Sequence, residues 1–397
     1  MSYFCLIFIA KDMDFLQYQF DTNGIIFTSV IGALFLFQIL YYFIVYGRVA
    51  FHKDKKIVSP QTLTTENSPS VSVILCVKEE AYNLKQTLSY FLEQEYPDYE
   101  VIVVDMASQD ETKSVLLRTK EVYPHLKIVN MCANVNKFTG KKFPLSIGIR
   151  SAKNDIIIVS SSDSKPSSFQ WIRQMVEPFT KGKSINIGYT AYKTNGGFWS
   201  SLINYDNVNL ALNYLSLSML GITFIGDGKN LAYRRELFFK KGAFIPYYNL
   251  ISGEDDIFIN RVANGSNTAV NINSEAINDT IITEKYYDWR LKKLCHYKSV
   301  RYFNFFDRIM TSLMPMTTVL LYCVMALSIV FRFPWEYVVG VVLIKWVIQI
   351  IIYFKACVRL RTKKIAIFAP LFEIVFLPIN TIFKLKSLRR KKNKWKH

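Results

Sequence analysis

The sequence predicts an α/β domain, a mostly parallel central sheet with helices on both faces, flanked by transmembrane helices. Three observations carry this reading. Between Val71 and Ser160, short apolar runs of strand length alternate with amphipathic runs of helix length, the pattern of parallel strands joined by crossover helices. Gly24 to Tyr46 and Ile309 to Phe331 run without a charge, each long enough for a helix to cross about 30 Å of hydrocarbon. Basic residues crowd the ends of the apolar runs: Arg48, Lys53, Lys55 and Lys56 after the first, Arg359, Arg361, Lys363 and Lys364 after a later one, and a cluster from Lys384 to Lys396.

Of the 397 residues 51% are hydrophobic, and the formal net charge is +18. A basic chain invites nucleic acid as a partner, but charge placed at the ends of membrane segments marks the cytoplasmic side and attracts anionic lipid. Lipid contact is therefore expected and nucleic acid is not. The six cysteines, Cys5, Cys76, Cys132, Cys295, Cys323 and Cys357, form no Cys-x-x-Cys pair, and only four histidines occur. Zinc sites and a disulfide framework are unsupported.

In chain order, residues 1–22 read as an N-terminal extracytoplasmic segment. Its apolar SYFCLIFI run is too short to span and meets Lys11, Asp12 and Asp14 at once. No cleavage pattern marks a signal peptide, and Met13 is an alternative start. Residues 23–46 form a transmembrane helix. The basic flank after it places the succeeding residues in the cytoplasm, starting with a basic linker at 47–69.

The α/β domain occupies 70–306. Its strands are expected at Val71–Val77, Glu100–Asp105, Leu126–Met131 and Asp155–Ser160, and its helices at Ala81–Gln94 and Glu111–Val122. A helix near 288–305 is expected to rest on the bilayer. Residues 307–383 form a C-terminal membrane region, with spans at 309–331 and 335–354. Lys345 lies inside the second and must face other helices or a polar contact. Residues 365–383 contain Glu373, Pro370 and Pro378. If they spanned, the polybasic tail at 384–397 would lie outside, so a re-entrant or interfacial segment is expected.

Ligands of such sheets bind beyond the carboxyl ends of the strands. Three aspartates stand at suitable positions. Asp105 closes VIVVD, Asp163 closes DIIIVSSSD, and Asp255 sits in Gly253-Glu254-Asp255-Asp256 ahead of a helical run. Any one of them serves equally as a helix or turn cap. Together they match what transfer from a nucleotide-sugar needs: a polar contact for the nucleoside, a carboxylate for Mg2+ or Mn2+ on the diphosphate, and a base for the acceptor hydroxyl.

Several segments, in order, resemble the family-2 glycosyltransferases with a GT-A fold, the nucleotide-sugar-binding fold. Val71 to Glu80 resembles the first strand and its Asn-Glu turn, with Glu79 in place of Asn. Leu88, Gln94, Tyr96 and Pro97 follow its next pattern. Glu100 to Thr112 resembles E-x-I-V-V-D-D-G-S-x-D-x-T, with Met106 and Ala107 replacing Asp and Gly. Lys141-Lys142, then Ile149 and Ala152, resemble the stretch before the metal motif. Gly228 to Arg234 resembles G-x-N-x-A-Y-R, and Glu254-Asp255 the Glu-Asp motif. The resemblance covers about 70–300 and is distantly similar to the catalytic subunits of cellulose synthase and poly-N-acetylglucosamine synthase.

The resemblance implies that Glu80 and Asp105 contact the nucleoside and that Lys142 approaches the diphosphate. It further implies that Asp163 binds the metal, that Asp255 is the base, and that Glu254 orients base or acceptor. Two departures qualify this. The Asp-x-Asp metal motif is Ser161-Ser162-Asp163 here, so Ser161 can hydrogen-bond the ribose but adds no charge. The Gln-x-x-Arg-Trp motif of processive relatives is missing. Its stretch reads Trp289-Arg290-Leu291-Lys292-Lys293, either an amphipathic helix on the bilayer with Trp289 and Tyr297 at headgroup level, or a source of diphosphate contacts from Trp289, Lys292 and Lys293.

The expected activity is inverting transfer from a nucleotide-sugar, UDP foremost, to a lipid-linked or membrane-associated glycan. It would take place at the cytoplasmic face of a bacterial inner membrane, in cell-surface polysaccharide synthesis. A processive synthase and a degenerate binding or assembly subunit are the alternatives. A reporter fused to the C-terminus is expected to be active only in the cytoplasm; activity restricted to the outside overturns this topology.

Overall fold

The computed structural model describes residues 22–54, 68–132, 140–193, 196–240, 242, 244–248, 250, 253–281, 286–331 and 333–388. The N-terminal segment up to residue 21, most of the linker and the end of the basic tail lie outside the described residues.

Helix α1 (Thr22–Ala50) includes a π-helical turn at Tyr42–Tyr46. The α/β domain then runs β1 (Val71–Val77), α2 (Ala81–Leu92), β2 (Tyr99–Asp105), α3 (Thr112–Val122), β3 (Leu126–Asn130), α4 (Lys142–Ser151), β4 (Ile156–Ser160), β5 (Ser164–Pro166) and α5 (Trp171–Thr180). It continues through β6 (Ile185–Ile187), β7 (Thr190–Lys193), α6 (Phe198–Met219), β8 (Leu231–Arg234), α7 (Arg235–Lys240), α8 (Asp256–Val262), β9 (Thr268–Val270), β10 (Asn278–Ile281) and α9 (Tyr286–Val300). Three further helices complete the described chain: α10 (Phe305–Val330), α11 (Trp335–Arg359) and, after a 3-10 turn at Lys363–Phe368, α12 (Ala369–Leu388).

The main sheet has the order β3-β2-β1-β4-β8-β6-β9. Strands β1 to β4 are parallel, and β8 runs antiparallel between β4 and β6. β1 and β4 read as nearly unbroken apolar runs because both faces are covered. Val71, Val73 and Leu75 face α2 and α5, where Leu84, Leu88, Phe91 and Trp171 are buried. Ile74, Ile102 and Ile157 face the opposite core with Leu145 and Ile149 of α4. The first four strands end on one edge, so the loops after β1, β2 and β4 share one rim. A smaller sheet, β5-β10-β7, closes the far side.

The second core does not stop at the domain. It continues into Tyr46, Val49 and Ala50 of α1, Tyr205 and Val208 of α6, and Tyr353 and Cys357 of α11. Tyr205 stacks on Tyr353 at 6.0 Å with nearly parallel rings, and Tyr353 Oη donates to Asn209 at 2.7 Å. Helix α1 therefore continues past the expected limit at residue 46, and α11 past 354, because their last turns pack against protein.

Among the described residues, four helices are long and apolar enough to cross a membrane: Thr22–Ala50, Phe305–Val330, Trp335–Arg359 and Ile365–Leu388. The fourth keeps to the domain along its length. Phe372 and Phe376 lie 5.2 and 5.3 Å from Tyr205, Phe383 lies 5.8 Å from Trp289, and the Ser387 carbonyl accepts from Arg301. The helix expected near 288–305 ends at Val300, and α10 begins at Phe305.

A polar cluster ties these helices together. Lys345 of α11 is fully buried, and its Nζ lies 2.7 Å from Glu373 of α12 and 3.2 Å from Tyr322 of α10. Thr318 of α10 donates to Glu373 and accepts from Gln38 of α1. Removing one member of a buried ion pair leaves the other charge uncompensated, at a cost of about 3–5 kcal/mol. Lys345→Met is therefore expected to lower the melting temperature of the detergent-purified protein strongly, and Lys345→Met/Glu373→Gln to recover much of the loss. A double variant no more stable than the single one contradicts this account.

Candidate active site

The rim of the sheet assembles in three layers. The outermost joins the loops after β1 and β2. Asp105 is buried, and its Oδ1 accepts from the Ser108 backbone N–H at 3.1 Å and from Ser108 Oγ at 2.6 Å. Ser108 Oγ in turn accepts from the Glu79 N–H. Asp110 accepts from the N–H groups of Ala81 and Thr112, at the starts of α2 and α3, and Thr112 Oγ1 accepts from the Glu80 N–H. The Asp-x-x-Ser-x-Asp-x-Thr spacing thus locks the two loops together and places Glu80 beside Asp105. Glu80 also accepts from Asn83. Glu79 and Ala107 both have positive φ, 56° and 58°, a region that costs a side chain with Cβ roughly 1–2 kcal/mol.

The second layer lies after β4. Thr87 Oγ1 donates to the Ser162 carbonyl and Ser164 Oγ to the Ser161 carbonyl, which fixes the turn that carries Asp163. Asp163 Oδ2 lies 2.6 Å from Lys229 Nζ. Burial alone would raise the Asp163 pKa, but the Lys229 charge and hydrogen bond, helped by Ser161, hold it well below the usual carboxylate range. Burial pulls Lys229 down, and Tyr192, Asp163 and Asp227 outweigh it, so its ammonium is held charged.

The third layer is the base. Lys229 belongs to Gly226-Asp227-Gly228-Lys229-Asn230, which leads into β8. The fully buried Asn230 side chain donates to the carbonyls of Tyr189 and Ala276 and accepts from Trp171 Nε1. Asp227 Oδ1 accepts from the Lys229 N–H. Gly228 lies directly under Asp255: a Cβ at this position would come within 1.8 Å of Asp255 Oδ2. Asp255 stands at the N-cap position of α8 without a side-chain cap hydrogen bond, and Gly253 at φ 105° turns the chain into it. Burial, then Glu254 and Asp256, push the Asp255 carboxyl well above its ordinary range; burial also raises Glu254, whose Oε2 is buried without a hydrogen-bond partner. Asp163, Lys229 and Asp255 thus meet through two consecutive residues, Gly228 and Lys229.

The remaining predicted residues divide. Lys142 is buried; its Nζ donates to the Leu250 carbonyl and lies 6.0 Å from the Tyr247 ring centre, on the Glu254 side. Lys292 of α9 lies in the field of Lys229, Asp163, Lys141 and Asp227. Surrounding protein, then Lys229, bring its pKa down to about 7, although the side chain keeps contact with solvent. Trp289 and Lys293 turn away toward α6, where both bind the Asp206 carboxylate. The expectation of Trp289 at headgroup level is not met, because its ring is buried between Asp206 and Phe376 and Phe383 of α12. His296 Nδ1 lies 3.0 Å from Asp256, which docks α9 beside the base.

The donor set fits a divalent cation poorly. Among the described residues no group of three His, Cys, Asp or Glu side chains gathers. Ser161 adds no charge, and one oxygen of Asp163 is held by Lys229. Its Oδ1 is buried without a partner, so a cation bound there would sit beside an ammonium.

Residues 72–240 match the family described as glycosyl transferase family 2. Glycosyltransferase AglE of Haloferax volcanii is 32% identical over 114 residues, 28% of this chain and 36% of that protein. The chain thus matches little more than a third of that relative's length. The mannosyltransferase PcManGT from Pyrobaculum calidifontis, in complex with GDP-Man and Mn2+, is similar over 91% of this chain and 100% of its own, with a TM-score of 0.56 and 16% identity. S. aureus TarS 1-349 gives a TM-score of 0.43 at 15% identity, over 81% and 93% of the two chains. The α/β domain has the GT-A fold.

The strained Ala107 gives a direct test of the rim. Ala107→Gly relieves the left-handed conformation at the cost of a more flexible unfolded chain, so a net gain of up to about 1 kcal/mol is expected. The melting temperature should rise by a few degrees; a fall would show that Ala107 is not held at positive φ.

Proposed function

We propose that this chain is an inverting glycosyltransferase that moves a sugar from a nucleoside diphosphate donor to a lipid-linked or membrane-associated glycan. The observation that carries the reading is the placement of Asp255 against Gly228, one residue from the Lys229–Asp163 pair. A base and a group suited to a diphosphate then flank one position, as a single displacement at the anomeric carbon requires. Glu80 and Asp105 form the nucleoside side of the rim and Ser161 lies between, within reach of a ribose. Glu254 and Lys142 lie on the acceptor side of the base.

The membrane reading is part of the proposal. Basic flanks support a cytoplasmic domain, taken here to be in a bacterial cell, where nucleotide-sugars are made. Helix α12, which touches α6 and α9 from Phe372 to Ser387 and meets Lys345, midway along α11, through Glu373, is read as a re-entrant segment and not a full span. Its outer face, with Leu371, Ile374, Val375 and Ile382 exposed, suits acyl chains, and an acceptor carried in the membrane reaches the site alongside α9. A cation chelated by the donor phosphates is a second source of positive charge. Mn2+ is named with the similar mannosyltransferase, but here the Lys229 ammonium beside Asp163 leaves such a cation to the phosphates and not to this carboxylate.

Asp255 must be deprotonated to act, and its raised pKa means that activity falls as pH drops through that value, above the ordinary range for an aspartate. The same shift costs stability. A carboxyl whose folded pKa is raised stabilises fully below its unfolded pKa, near ~4, and loses that contribution as pH rises through the folded pKa. Asp255→Asn is expected to cut transfer by roughly 10²- to 10⁴-fold, to keep donor binding, and to raise the melting temperature at pH 8. Normal turnover in this variant removes Asp255 as the base.

A further inference from the structure

The Lys229–Asp163 pair has a chemical meaning beyond holding a loop. We infer that the ammonium of Lys229 supplies the positive charge that receives the departing diphosphate, in the place where a divalent cation would stand. This rests on the proposed transfer reaction and specifies how that site handles its leaving group.

Four features of the site support the inference. Lys229 Nζ is already on the carboxylate expected to hold a metal, at 2.6 Å. It is pinned from both sides: its backbone N–H is held by Asp227, its carbonyl accepts from Ser160 Oγ and Asn278, and its amine lies 5.3 Å from the Tyr192 ring centre. Its position is thus set by the protein before any ligand arrives, as electrostatic stabilisation of a leaving group requires. Position 161, where a second carboxylate would help attract a cation, is a serine. Gly228, the residue before Lys229, lies against Asp255, so the ammonium and the base are fixed one residue apart.

The step balances without a metal. The acceptor hydroxyl oxygen forms a bond to the anomeric carbon as the bond from that carbon to the diphosphate oxygen breaks. The electron pair leaves on the diphosphate, and the hydroxyl proton passes to Asp255. Nothing is oxidised or reduced. Lys229 stays protonated and donates hydrogen bonds to the phosphate oxygens as their charge grows. Lys229 exchanges Asp163 for phosphate or bridges the two, as an ammonium with three donors can.

The test is titration calorimetry of the full chain in detergent with UDP, GDP and inorganic pyrophosphate, in EDTA and in Mn2+. Binding of UDP or GDP is expected in EDTA, within roughly threefold of its affinity in Mn2+. Lys229→Met should weaken it by roughly tenfold or more and Lys229→Arg should largely restore it, since a charge-assisted contact to phosphate is lost and regained. Because Lys229→Met strands a buried carboxylate, Lys229→Met/Asp163→Asn is measured beside it; with an unaltered melting temperature it should still bind weakly in EDTA. Binding that EDTA abolishes and Mn2+ restores overturns the lysine inference and leaves the transfer reading standing. So does undiminished binding in the double variant. If neither nucleotide binds in either condition, the transfer reading fails and the inference with it.

Discussion

The site depends on one buried side chain, Asn230. Its amide donates to two carbonyls, and its oxygen accepts from the Trp171 indole. All three partners are interior groups from other elements, so the asparagine cannot move without leaving several polar groups unpaired, each at a cost of ~1–3 kcal/mol. That rigidity passes directly to its neighbours. Lys229 is presented to Asp163, and Gly228 is held flat enough for Asp255 to lie on it. The acid–base geometry of the site is therefore an outcome of core hydrogen bonding on the far side of a two-residue segment.

A second constraint sets where this site stands relative to the membrane. The core on one face of the sheet runs without a break into the last turns of α1 and α11 through Tyr46, Tyr205 and Tyr353. Aromatic rings contribute large buried area with few rotamers, so this joint is stiff where a linker would be loose. Helix α9 transmits the same constraint from another side: Trp289 and Lys293 clamp it to α6, His296 ties it to Asp256, and α12 covers it. The active-site rim is thus tied to helices that carry apolar outer surfaces.

Much of this was legible in the sequence. Periodicity alone placed the first four strands to within a residue, because β1, β2 and β4 are buried on both faces and read as apolar runs. The strand-end aspartates came from the rule that loops after parallel strands share one rim. The unusual backbone was signalled too: Glu79 and Ala107 stand where the family pattern has Asn and Gly, the residues that adopt positive φ most readily. Other features had no local signal. Lys229 and Asp163 are 66 positions apart in sequence, and nothing in Gly-Lys-Asn says where the amine points. The Trp-Arg-Leu-Lys-Lys run reads equally as a bilayer helix or a phosphate site. Only the packing shows that the adjacent lysines differ, Lys293 bound to Asp206 and Lys292 exposed. The inward turn of Trp289 depends on α12, which comes nearly 80 residues later.

The serine at 161 and the lysine at 229 make most sense together. Two carboxylates at 161 and 163 would give a formal charge of −2, a pair that needs a cation before an anionic donor can approach. Ser161, Asp163 and Lys229 together sum to zero. An arriving diphosphate then meets an ammonium already fixed in place beside Asp163. The attraction then grows with the ligand's own charge and is greatest when the diphosphate leaves, the stage at which stabilisation accelerates transfer instead of merely tightening substrate binding.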